Sequence, residues 1–410
     1  MKSDPAIIAY LAPALTALES TFVYDELLAL ERRAFRVVPV SVHRPQNLLA
    51  GHDELLARTH YLYDGGALRT LFSSLLALSR LAGAQVPSLR WLLADMRATG
   101  ICSMRSWKLV YQYAVAAKFA AILIKHRCRH LHVHFAHVPA QIAMYASAMS
   151  GVPFTIMAHA NDIFERGALL PQKAARAKKM LTISAYNRAF LERSGVPAEK
   201  LAVVRCGVSF TANPHAAPPR EGTQFRIGTL GRLVEKKGID VLIGALAGLR
   251  DKPYRVELDI AGDGPLRGAL EKQARDAGVA TAVRFAGNLP HHAVQEWMRG
   301  LDIFILACKP DANGDMDGIP VVLMEAMSQA VPVISTRLSG IPELVIDNET
   351  GLLAEPGNAD DLAVCIDRLL ASAALRNRLA AQALAHVERE FGQQVNLDRL
   401  TGHFGLATLQ

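Results

Sequence analysis

The chain has 410 residues, 51% hydrophobic and 20% charged, with a net charge of +7. This balance suits a globular protein of about two domains and excludes a disordered or collagen-like chain. The charge is uneven: 26 Lys and Arg face 13 Asp and Glu in residues 1–220, against 19 and 25 in the remainder.

The first expected strand covers residues 6–11. Pro5 and Pro13 bracket this run, so a buried strand fits it better than a secretory signal. A helix is expected around 24–33 and a second strand at 36–42. Residues 65–130 then read as helical. They carry ten basic residues and one acid, Asp95, with leucines and aromatics at helical spacing. Helices with apolar faces and Arg/Lys margins either rest on an anionic membrane surface or form a solvated face over a buried core. No run of about 18 uncharged apolar residues occurs, so no membrane span is expected. Residues 107–124 come nearest, interrupted by Lys108 and Lys118. Strands are expected at 130–136, 153–159, 180–183 and 201–204.

Residues 211–223, TANPHAAPPREGT, read as a linker. Beyond it, strands and helices alternate again, with a helix at 321–330 followed by the strand VPVIST. The alternation implies an α/β architecture of two parallel, doubly wound sheets, one in each domain. The domains are expected at 1–212 and 222–392, with a C-terminal helix at 393–410 packing back on the first. Ligands of such sheets sit at the carboxyl ends of the strands.

The five cysteines, Cys102, Cys128, Cys206, Cys308 and Cys365, include no CxxC pair. They read as small buried side chains in a reducing compartment, not as zinc ligands or disulfides. His130, His132 and His134 alternate on one face of a strand. They imitate a metal site, but the reading is a buried strand, and no metal or other cofactor is expected. The acidic run DANGDMDG, 311–318, reads as the loop before a helix.

Three segments of the second half carry chemistry. GRLVEKKG, 231–238, presents Arg232 and Lys237 beside the glycine turn at Gly231, cations suited to a diphosphate. AGDGP, 261–265, follows a strand. Gly262 and Gly264 flank Asp263 and let backbone approach a ligand, and Pro265 is placed to open a helix. In DGIPVVLMEAM, 317–327, Asp317 precedes a glycine turn and Glu325 lies eight positions on. A carboxylate accepts two hydroxyl hydrogen bonds at once, which suits ribose or hexose diols. The amides of Gly318 and Ile319, with Pro320 at the first helical position, favour a polar or anionic oxygen.

In order and spacing, these segments resemble the donor half of glycosyltransferase family 4, in particular members that build exopolysaccharides of the colanic-acid type. VVRCGVS (203–209) and GIPELV (340–345) add to the resemblance, which covers most of 150–390. It implies the GT-B fold, two Rossmann-like domains facing across a cleft, and transfer of a hexose from a UDP- or GDP-sugar with retention and without metal. It further implies that Arg232 and Lys237 hold the diphosphate, Glu325 the ribose, and Asp317 the hexose. Asp317 stands where the family usually has Glu.

In the first half, FTIMAHANDIF (154–164) resembles the family's AHxxD segment. His159 would then lie near the transferred sugar, and Asp162 would position the acceptor or cap a helix. Ser20 and Thr21, in a loop resembling the family's SETF, would touch phosphate or acceptor or cap a helix. Ser184 and Asn187 would line the cleft. The implied partners are a nucleotide sugar and a glycan or lipid-diphosphate acceptor, with peripheral contact at an anionic membrane through 65–130, in a cytoplasmic protein that binds no nucleic acid. A sugar-nucleotide-binding scaffold without catalysis, or another GT-B activity such as a nucleotide-sugar epimerase, is the alternative.

Overall fold

A computed structural model describes residues 5–15, 21–33, 35–45, 53–81, 86–210 and 222–406. It divides into two compact units, Met1–Arg205 with Asn396–Gln410, and Cys206–Val395. The expected linker lies almost wholly outside the described residues, as does Ser20.

The first unit is a seven-stranded sheet of β1 (Ile7–Ala12), β2 (Arg36–Ser41), β3 (His60–Tyr61), β4 (His130–His134), β5 (Phe154–Ala158), β6 (Lys179–Thr182) and β7 (Leu201–Val203). All pairs are parallel, in the order β3-β2-β1-β4-β5-β6-β7. The strands are near-continuous apolar runs because helices cover both faces; Ile8, Tyr10, Leu131, Val133 and Ile156 are fully buried. The strand order reverses between β1 and β4, so the crevice of this sheet opens at the carboxyl ends of those two strands.

Three helices span the basic segment: Ala67–Arg80, Val86–Thr99 and Met104–Lys125. The third starts at Ser103, whose Oγ accepts the Ser106 amide at 3.1 Å. It buries small residues, Ala116, Ala117 and Ala120, in the same core as Ala140, Ala143 and Ala146 of the Val138–Ser150 helix. Small side chains let helix backbones approach closely. By length and composition alone this helix is apolar enough to cross a membrane, but 56% of its apolar window is buried inside the unit. Lys118 does not break the pattern, because its Nζ donates to the carbonyls of Tyr61 and Leu62 at 2.9 and 3.0 Å. The helix expected at 24–33 begins three residues earlier, at Thr21.

The second unit repeats the plan with β8 (Gln224–Leu230), β9 (Arg255–Ala261), β10 (Val283–Gly287), β11 (Ile303–Ile305), β12 (Val333–Thr336) and β13 (Leu352–Ala354). The order is β10-β9-β8-β11-β12-β13, again parallel, with its reversal between β8 and β11. Asp259 on β9 ties this sheet to its flank. It is 2% exposed, accepts Trp297 Nε1 at 2.9 Å, and pairs with Arg226 and Arg284. Burial raises its pKa, but the two guanidiniums and the indole outweigh that and hold it below the ordinary aspartate value.

Candidate functional site

The second unit's motifs gather around the β8–β11 reversal. The turn after β8 and the turn after β9 are laced backbone to backbone. Gly231 N donates to Ala261 O at 3.0 Å, and Leu233 N donates to Asp263 O at 3.0 Å. This gives Gly262 and Gly264 a different reason from the expected one. A Cβ on Gly262, whose φ is 114°, would stand 2.0 Å from Gly231 O, and one on Gly264 would stand 2.6 Å from Leu233 O. Packing of one turn on the other therefore requires the glycines, whatever binds above them. Asp263 is exposed and accepts its neighbour's amide, Gly264 N, at 2.7 Å. Pro265 does not open the following helix, which begins at Arg267.

Lys237 lies along Gly231, with its Cε 3.5 Å from where a Cβ would be. Its Nζ meets Asp317 Oδ2 at 2.6 Å, and Lys236 reaches Asp315 at 2.8 Å and Asp317 at 3.6 Å. Cys308 donates its thiol to Asp317 Oδ2 at 3.4 Å. Burial would lower the Lys237 pKa, but the Asp317 carboxylate outweighs it and holds the ammonium above the usual lysine value. Burial would likewise raise Asp317, but Lys237 and Lys236 hold it below the usual range. Both groups are charged at neutral pH. Arg232 is exposed and makes no ion pair among the described residues.

Asp317 leads into the helix Val321–Ser328 through Gly318, Ile319 and Pro320, all buried. Pro320 is the cap residue rather than the first helical one. Gly318 and Ile319 amides make no hydrogen bond to the described residues, so they remain donors at a helix N-terminus. Glu325 sits half-buried within the helix. The acidic run is a self-braced loop: Asp311 Oδ1 accepts the Asn313 and Asp315 amides at 2.8 and 2.9 Å. The arrangement offers an unpaired cation, a second cation held by a displaceable carboxylate, and free amides, which together can bind an anionic ligand.

In the first unit, the carboxyl ends of β1, β4 and β5 carry a buried polar chain that the sequence reading only touched. Glu26 Oε1 stands 3.0 Å from His134 Nε2, and His134 Nδ1 stands 3.1 Å from His159 Nε2. Tyr10 Oη meets Val23 O at 2.8 Å and His134 Nε2 at 2.7 Å. His130 and His132 both reach Thr155 Oγ1, at 2.9 and 2.8 Å. Glu26, His132 and His134 bring ligand atoms within 4.8 Å of one another, the one such group among the described residues. Tyr10 Oη and Glu26 Oε1 both lie within hydrogen-bond distance of His134 Nε2, and Tyr10 Oη also stands 3.0 Å from Glu26 Oε1. His159 is buried between Phe22 and Phe135, and burial with its histidine neighbours pulls its pKa well below the usual value. It is neutral at pH 7.

Asp162 is fully buried. Its oxygens accept His159 N at 2.9 Å and Ala136 N at 2.5 Å, while Lys173 Nζ donates to Ala136 O at 2.5 Å. Both ends of residue 136 are thus clamped, beside Phe135 at φ 72°, a left-handed conformation that costs an aromatic residue about 1–2 kcal/mol. Of the two readings for Asp162, acceptor contact or helix cap, the carboxylate as it stands serves backbone amides. Burial raises its pKa to about 6 and lowers that of Lys173 to about 7. Ser184 and Asn187 are also fully buried. Ser184 Oγ caps a helix by accepting Asn187 N at 3.0 Å. Thr21 opens the first helix. Glu26 and Lys173 went unread because an isolated Glu or Lys in an ordinary helix carries no local signal, and His134 was read only as part of a buried strand.

A cavity of about 830 Å³ opens at the carboxyl ends of this sheet. His43, Arg105, Lys108, His137 and Arg166 line it, with Glu165.

Comparison with known proteins places these two units. Residues 212–386 match the family model of glycosyl transferases group 1. The chain is 33% identical over 271 residues to the amylovoran biosynthesis glycosyltransferase AmsK of Erwinia amylovora, covering 65% of this chain and 66% of that protein. It is 37% identical over 250 residues to the putative colanic acid biosynthesis glycosyltransferase WcaL of Escherichia coli, covering 58% and 60%. The match thus spans about two thirds or less of each relative. Among solved structures, HepE of Anabaena in complex with UDP superposes with a TM-score of 0.71 at 16% identity, covering 97% of this chain and 98% of that one. The second unit thus carries a group 1 glycosyltransferase domain, and the two parallel Rossmann-like units have the GT-B fold.

Proposed function

We propose that the protein is a retaining hexosyltransferase that takes its sugar from a UDP- or GDP-hexose and passes it to a glycan or lipid-diphosphate acceptor in exopolysaccharide synthesis. The observation that carries this reading is the pairing at the β8–β11 reversal: exposed Arg232 beside Lys237, whose 2.6 Å contact to Asp317 gives the ammonium a displaceable anion. A donor diphosphate takes the place of that carboxylate. Arg232, Lys237 and the Gly318 and Ile319 amides then spread its charge as the bond from the anomeric carbon to the phosphate oxygen breaks. Glu325 holds the ribose, and Asp317 turns to the hexose. The acceptor hydroxyl attacks the face the diphosphate leaves, and its proton passes to a phosphate oxygen. With two cations and helix amides in place, this step calls for no metal. HepE, solved with UDP, supports a nucleotide donor, and AmsK and WcaL, named for polysaccharide biosynthesis, support the pathway class.

The acceptor belongs to the first unit's cavity, where Arg105, Lys108 and Arg166 suit a phosphorylated group. His159, neutral behind its cover of Phe22 and Phe135, contributes a hydrogen-bonding edge near the sugar. The work is placed at the cytoplasmic face of a membrane. Release of nucleoside diphosphate from a panel of UDP- and GDP-hexoses, measured in EDTA, tests the reading. One donor should turn over in the wild type and fail with Lys237→Ala. Turnover of none of them, with no donor bound, would favour a scaffold.

A further inference from the structure

The helix Ala67–Arg80 is built inside out. Leu68, Leu71, Phe72, Leu75 and Leu76 recur at the spacing of one helical face, and every one of them is exposed, Leu68 at 85% and Phe72 at 72%. The side turned inward holds Thr70, Ser74 and Ala77. Ser74 Oγ is buried with no hydrogen-bond partner. The next helix follows suit. It exposes Leu89 and Leu93 while burying Ser88, which meets Tyr113 Oη at 2.9 Å, and Asp95, which takes Arg176 at 2.6 and 2.8 Å. Ile101, Met104 and Trp107 continue the exposed set at the start of the third helix, the last two at 74% and 63%. Of thirteen exposed large hydrophobic residues in the described chain, eleven fall between Leu68 and Ile124. A folded protein in water gains nothing by presenting such a face.

We infer that the exposed faces of the helices Ala67–Arg80 and Val86–Thr99, with the start of the third helix, dock on an anionic lipid bilayer and seat their leucines, Phe72 and Trp107 among the acyl chains. Charge identifies the occupant. Arg69, Arg80, Arg90, Arg97, Arg105 and Lys108 are all exposed around the stripe. The segment's one acid, Asp95, is buried and paired, so the exposed face carries cations alone. An apolar stripe ringed by cations matches acyl chains beneath anionic headgroups. The same ring opposes pairing with a second copy, which would set like charges face to face. Arg105 and Lys108 also line the cavity of this unit. The docked face is therefore continuous with the cavity, and an acceptor anchored in the bilayer reaches it without leaving the lipid. This last step rests on the proposed transferase; the docking itself does not.

The test is co-sedimentation of the full chain with vesicles of phosphatidylcholine containing phosphatidylglycerol, compared with phosphatidylcholine alone. The wild type should bind the anionic vesicles, more weakly in high salt. The triple variant Leu68→Ser, Phe72→Ser, Leu75→Ser should bind at least about tenfold more weakly while keeping its melting temperature. Arg80→Glu with Arg90→Glu should lose the preference for anionic lipid. Equal binding by wild type and triple variant would overturn the inference. So would a wild type that ignores vesicles but forms a dimer, seen by sedimentation velocity, that the triple variant abolishes. Neither readout uses a sugar donor, so failure of the transferase reading leaves this result standing.

Discussion

Replacing Asp317 with Asn should both weaken the second unit and sharpen its response to a nucleoside diphosphate. Asp317 Oδ2 stands 2.6 Å from Lys237 Nζ, with side chains 14% and 17% exposed. At an effective dielectric near 20 the attraction at that distance is on the order of 6 kcal/mol, before desolvation is subtracted. Breaking a fully buried pair costs about 3–5 kcal/mol. Partial exposure here, and the proximity of Asp315, reduce that to about 2 kcal/mol. For a domain of this size the loss corresponds to a fall of about 4–8 °C in Tm. The depressed Asp317 pKa makes its contribution present above the unfolded value of about 3.9 and lost as pH falls through the folded one. The raised Lys237 pKa makes its contribution present below about 10.4 and lost as pH rises through the folded value. The penalty of Asp317→Asn should therefore be flat from pH 6 to 9. A diphosphate supplies the missing anion, so its addition should raise the Tm of Asp317→Asn more than that of the wild type at equal concentration. Calorimetry of both proteins with and without UDP and GDP measures this. An unchanged Tm, or equal ligand increments, would refute the displaceable pair.

The first unit should lose stability steeply in mild acid. His130, His132, His137 and His159 all have depressed pKa values through burial, His130 to about 3 and His137 to about 4. Each must take up a proton on unfolding below about pH 6.5, and Asp162, raised to about 6, releases one. From His130 and His137 against Asp162 the net uptake near pH 5 is about one proton, a slope of about 1.4 kcal/mol per pH unit, which the depressed His132 and His159 steepen; a denaturation midpoint unchanged between pH 6 and 5 would contradict it. Gly262→Ala should be lost to folding or donor binding, because its Cβ meets Gly231 O at 2.0 Å, whereas Gly268→Ala, with nothing within 4 Å, should be neutral or slightly stabilising. Asp259→Asn should cost about 3 kcal/mol by stranding Arg226 beside a neutral side chain, read from urea unfolding of the second unit.

Much of the fold was legible because its signals are local. Apolar strand runs such as β1 and β9, followed by turn residues and helical spacing, announce a parallel sheet, and their order repeats across two units. The turn after β8 was legible for the same reason: Arg232 and Lys237 follow directly on that strand. What failed depends on partners distant in sequence. For Asp162 the spacing left an acceptor contact and a helix cap open, and only Ala136 N and His159 N show where its oxygens go. Gly262 and Gly264 looked like ligand cradles, but the opposing turn is what they accommodate. The Glu26–His134–His159 chain joins a helix to two strands, and no spacing reports it. The leucines of 68–76 were readable as a helical stripe, yet the side they face is decided by Thr70 and Ser74 packing inward.

The donor site is tested most directly by calorimetric binding of UDP, GDP and ADP, each with and without magnesium, to the wild type and to Glu325→Ala. The account predicts that one diphosphate binds selectively, without needing magnesium, and about tenfold more weakly to Glu325→Ala, the loss expected for a charged hydrogen bond to the ribose. Binding of none of them at millimolar concentration, or binding that demands magnesium and ignores Glu325, would contradict it.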